Sequence, residues 1–189
     1  MRFDTIAALV VALQANPVFA QQEPVETAFS SVLRGCETWV MNPASWVNGP
    51  EPFLAAMDLG PRVTAVATIP EAFRPPPGEL RRGNRFWRIN ATDRAGFALT
   101  VSDQRPMCHI VGVGFADFRK ATAALLASAA FTASWEPFDA GAKDTGRSLV
   151  FRHRTDRKFV LTLSQRTEAQ DGAGIIHVIA TAAYAPDAD

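Results

Sequence analysis

The sequence predicts an α+β fold: a single antiparallel sheet of six or seven strands, covered by N-terminal helices and one mid-chain helix. Three observations lead there. Apolar residues recur at three- and four-residue steps in "PVETAFSSVLRGCETWV". From Arg85 onward, short apolar runs alternate with turn-forming stretches. One alanine- and leucine-rich segment, "ADFRKATAALLASAA", interrupts those runs. Helices gathered early and strands gathered late argue against a doubly wound parallel sheet, in which the two alternate along the chain.

The elements follow in order. Val25, Phe29, Val32, Cys36 and Trp39 fall on one helical face, with Pro24 suited to the first turn. "NPASWVNGPEPFLAAMDLGP" gives a turn-rich link and a short second helix, with Pro52 near its start and Gly60-Pro61 stopping it. "TIPEAFRPPPGEL" is read as an irregular crossing loop, because its proline run is held extended. "RFWRIN", "GFALTVS" and "MCHIVGVG" form a three-strand meander around "ATDRA" and "DQRP". The mid-chain helix places Phe118, Thr122, Leu125, Leu126 and Ala129 on one face, with Asp117 near its start. "ASWEPF" suits a short edge strand. "SLVFRHR", "KFVLTLSQ" and "GIIHVIATAAY" complete the sheet, the first two joined by a hairpin at "TDR".

The chain begins with a weakly charged start, an apolar run from Ile6 to Ala15, a break at Asn16-Pro17 and, in Val18-Phe19-Ala20, small or tolerated residues before a possible cut. That is the layout of a cleavable signal peptide over residues 1–20, its apolar core too short for a resident span. Residues 21–189 are read as one domain, helical and loop-rich over 21–80 and mainly strands with one helix over 81–189. A soluble protein of the periplasm or the exterior is expected, with no membrane span. The formal net charge is +0, and loss of the leader removes Arg2 and Asp4 together. Such neutrality excludes a general nucleic-acid binder.

Export gives the two cysteines an oxidising environment, so Cys36 and Cys108 are expected to pair. The alternatives are a reactive thiol or an intermolecular bridge. Cys108 opens "MCHIVGVG", apolar on both alternations as a central strand is. Its neighbour His109 points to the opposite sheet face, so the two cannot act as a catalytic dyad.

Motifs for chemistry are sparse. His109, His153 and His177 sit in separate strands without metal-ligand spacing. "KDTG" at Lys143 carries the aspartic-protease triplet without apolar flanks or a second copy, and reads as a turn. "GVG" at Gly112 lacks the third glycine of a dinucleotide fingerprint and suits close helix packing instead. No cofactor is implied. Two basic clusters carry the main candidate binding residues. Arg81, Arg82, Arg85 and Arg88 interleave with Trp87, and Arg152 and Arg154 flank a hairpin. Guanidinium groups beside aromatic rings suit anionic ligands such as an envelope glycan, a lipid headgroup or an acidic protein. The expected function is a non-enzymatic binding or interaction module of the cell envelope. The alternative is an enzyme pairing one of the three histidines with a carboxylate such as Asp103 or Asp156.

Overall fold

The computed structural model describes residues 24–138, 148–166 and 175–185. The expected leader, residues 1–20, and the "KDTG" stretch lie outside them. Helix α1 spans Val25–Met41. Pro24 stands at its N-cap with φ −54°, an angle its ring already imposes. The apolar stripe is realised as expected: Val25, Phe29, Val32, Cys36 and Trp39 are all buried. Helix α2, Glu51–Met57, follows a 3-10 segment over Pro43–Asn48.

The class is α+β with one antiparallel sheet, but the sheet has eight strands, not six or seven. They are β1 (Val63–Val66), β2 (Asn84–Asn90), β3 (Ala95–Ser102), β4 (Met107–Gly114), β5 (Trp135–Pro137), β6 (Ser148–His153), β7 (Phe159–Gln165) and β8 (Ile176–Tyr184). The strand that sequence reading missed is β1. Its four residues lie at the sheet's edge, with Thr64 and Ala65 exposed. So short an edge strand has no buried alternation to betray it.

The strand order is β1-β2-β3-β4-β8-β7-β6-β5. It consists of two four-strand meanders joined where β4 meets β8, with Cys108 opposite Ala182 and Ile110 opposite Ala180. One mid-chain helix was expected between the meanders; there are two, α3 (Phe118–Ala127) and α4 (Ala129–Ser134). Ser128 divides them because its backbone is extended, at ψ 145°, and its hydroxyl accepts from the Phe131 amide to start a new helix. Ala129 therefore leaves the apolar face and is exposed. Asp117 caps α3 by accepting from the Lys120 amide at 3.0 Å. Helices thus both precede the sheet and interrupt it.

Helix α1 lies over β3, β4 and β8. Phe29 stacks on Phe97 with ring centroids 5.3 Å apart. The Trp39 indole donates to the Ser102 carbonyl at 2.8 Å, which satisfies the polar atom of a side chain 1% exposed. The close passage expected at Gly112 is present: a Cβ there would come within 2.6 Å of Phe118 on α3 and of Val178 on β8. The central bond is covalent. Cys36 and Cys108 form a disulfide across α1 and β4, their Cα atoms 5.6 Å apart and 72 positions apart in sequence.

Closing a loop of that length removes unfolded-state entropy worth about 4 kcal/mol in the chain-entropy model. The C36A/C108A variant is therefore expected to lose about that much unfolding free energy. Denaturant titration checks this, as a fall in midpoint that reduction of the wild type reproduces.

Candidate functional site

Strand alternation sends Cys108 towards α1 and His109 to the sheet's far face. There His109 is 3% exposed and its Nδ1 lies 2.8 Å from the Thr181 hydroxyl. Burial pushes its pKa down from 6.5 to about 4, because the low-dielectric surroundings disfavour the imidazolium. His153 on β6 faces the helices, with Nδ1 2.9 Å from the Thr155 hydroxyl and its ring edge-on to Trp135. Burial lowers its pKa too, against an opposing pull from Asp156. His177 occupies an irregularity in β8, where Gly112 pairs with Val178 and Val113 with Ile176. The skipped residue turns its ring onto Phe118, and its Nε2 donates to the Gly114 carbonyl at 2.7 Å. The imidazoles thus have separate partners, hydroxyls in two cases and a carbonyl in the third. Among the described residues no group of three or more His, Cys, Asp or Glu side chains could hold a metal ion.

The basic clusters are dispersed and largely neutralised. Arg81 donates to Glu71 at 2.6 Å and to the Pro75 carbonyl at 2.8 Å. Arg82 pairs with Glu79 at 3.0 Å and Arg85 with Asp103 at 2.8 Å. Arg152 and Arg154 both reach Glu136, at 2.5 and 3.3 Å. The hydrogen bonds from Arg81 and Arg152 hold the Glu71 and Glu136 carboxyls below the usual range. Between β2 and β6 stand β3, β4, β8 and β7, so the clusters are roughly 24 Å apart at about 4.8 Å per strand. Trp87 points to the opposite sheet face from Arg88. It is buried and packs edge-on to Phe53 with centroids 5.1 Å apart.

Arg88 differs from the rest of its cluster. It is exposed on the far face of β2, and no hydrogen bond or ion pair engages it among the described residues. It lines an open cleft of about 590 Å³, within the size range of small-molecule sites. The floor comes from alternate residues of three strands, Asn90, Gly96 and Val113 in one row and Arg88 beside Ala98 in the next. Gly96 and Ala98 are small, which leaves the space. One wall is the chain after β1, where Ile69 and Phe73 fold back over the sheet. The ion pair from Glu71 to Arg81 pins that segment from outside. At the other end the Arg94 guanidinium lies over the Phe115 ring, 4.7 Å from its centroid. Asp93 completes the rim.

Of the residues expected to bind, only Arg88 and Trp87 line this cleft. Sequence reading missed the remainder because the wall comes from a loop whose path no periodicity records. The available signal was a pair of apolar residues, Ile69 and Phe73, inside an otherwise polar, proline-rich stretch. No family model, curated protein or solved structure matches the chain. Among the described residues no helix is long and apolar enough to cross a membrane.

The buried imidazole has a pH consequence. Because the folded pKa of His109 lies below the unfolded value, its neutral form stabilises the fold above pH 6.5, and that contribution is lost as pH falls towards 4. The ceiling is about 3 kcal/mol. H109Q is expected to flatten the loss of unfolding free energy between pH 7 and pH 4 by up to that amount, read from denaturant midpoints of variant and wild type.

Proposed function

We propose that this protein is an exported, non-enzymatic binding module of the cell envelope, holding a small anionic ligand in the cleft beside β1, β2 and β3. The observation that carries this reading is the coincidence of an apolar-walled cleft with a guanidinium, that of Arg88, which has no acidic partner among the described residues. A guanidinium without an acidic partner inside a concave site favours an anion there. Export is supported by the leader-like first twenty residues together with the disulfide, a bond that persists in oxidising compartments. An enzyme built on a histidine and a carboxylate has less support: the imidazole partners are Thr181, Thr155 and the Gly114 carbonyl.

Within this reading, Arg81, Arg82 and Arg85 act on the ligand indirectly. Arg81 ties Glu71 and Pro75 together, and so braces the segment that walls the cleft. Native isolation of the mature protein from envelope material, followed by mass spectrometry of what denaturation releases, is expected to find a small anion in near-stoichiometric amount. Recovery of bare protein under the same conditions would count against a binding role. Replacing Arg81, Arg82 and Arg85 together with Gln is expected to lower the recovered ligand several-fold. Replacing Arg152 and Arg154, across the sheet, leaves it unchanged.

A further inference from the structure

We infer that the ligand class of the cleft is a single-chain alkyl carboxylate, its head at Arg88 and its chain along Ile69, Phe73 and Phe115. This inference rests on the binding role proposed above and narrows it. The lining is divided by chemistry: Val66, Ile69, Pro70, Phe73, Val113 and Phe115 are apolar, while Arg88, Asn90 and Arg94 supply donors. A ligand polar throughout, such as a glycan, leaves those apolar surfaces without a complementary partner. One apolar throughout makes no use of the Arg88 guanidinium, which stands exposed on the cleft floor without a counter-charge from its strand neighbours.

The charge balance sets the head. Two guanidinium groups, Arg88 and Arg94, face one carboxylate, Asp93. The excess is a single positive charge, which matches a monoanion. A phosphate dianion brings a second negative charge towards Asp93 and is disfavoured by repulsion. Arg94 is partly occupied by the face of Phe115, whereas Arg88 has no such contact. Arg88 is therefore the head's anchor, and a planar guanidinium suits the two oxygens of a carboxylate. The strand edge beyond Val66 leaves the cleft open on one side, so the chain can lie along the wall instead of being enclosed.

The test is titration calorimetry on the intact, disulfide-bonded protein at pH 8, with each probe below its micelle concentration or solubility limit. The probes are dodecanoate, dodecan-1-ol, butanoate and dodecyl phosphate. Dodecanoate is expected to bind, the alcohol and the phosphate each about tenfold more weakly, and butanoate not measurably. R88Q is expected to reduce dodecanoate affinity about tenfold while leaving the alcohol unchanged. F73A is expected to weaken both, and near-UV circular dichroism of each variant checks that the fold persists. Equal binding of carboxylate and alcohol, or indifference to R88Q, would overturn the assignment of the head. Tighter binding of the phosphate would overturn the single-charge argument. Failure of all four probes would overturn the alkyl class, and the native-isolation experiment decides separately whether a binding role of any kind survives.

Discussion

The attachment of α1 to the middle of the sheet is the constraint on which the other features depend. Cys36 lies on a helix whose buried stripe includes Phe29 and Trp39, and Cys108 lies on β4, fourth in an order of eight. The bond between them fixes which sheet face the helix covers. Once that is set, the period of two along each strand decides the fate of every neighbour. Trp87, Ile89 and Phe97 go under the helices, while Arg88, Asn90 and Ala98 go to the far face, where the cleft forms. His109 is sent to the far face by the same parity that hides Cys108. The opposite assignment would place Arg88 in the core and take its guanidinium out of the cleft.

Elements with strong periodic or capping signals were legible in the sequence. The α1 stripe, the capping Asp117 and the two hairpin-rich strand blocks each follow from local residue type, and the disulfide from the presence of two cysteines on facing elements. What was not legible depends on tertiary context. The edge strand β1 is four residues long and half exposed, so its pairing with β2 is what makes it a strand. The break at Ser128 is a contest between alanine-rich helix propensity and a serine that caps a new helix. Composition favours one continuous helix, and the hydroxyl decides otherwise.

The site was legible only in part, for an electrostatic reason. A cluster of arginines in sequence does not say which guanidinium groups are paired. Arg81, Arg82 and Arg85 find Glu71, Glu79 and Asp103, of which only Glu79 is near in sequence to its partner. Pairing over longer separations depends on loop paths that residue spacing does not encode. Arg88 lacks such a partner because its strand neighbours on the far face, Thr64 and Ala98, carry no charge. The cluster's chemistry was thus visible, but the member left without an ion pair among the described residues was not distinguishable from those that are paired.

The junction of the two meanders has a consequence for how the molecule is made. Strand β8 follows every other described element in sequence, yet it lies between β4 and β7 and supplies the second edge of β4. Until those residues are synthesised, β4 has one side of its peptide groups unsatisfied beside strongly apolar neighbours. Such an open edge is a template for pairing with other chains. A nascent or shortened copy that lacks β8 is thus most prone to aggregate, and a holding chaperone would be of greatest use until that strand is made.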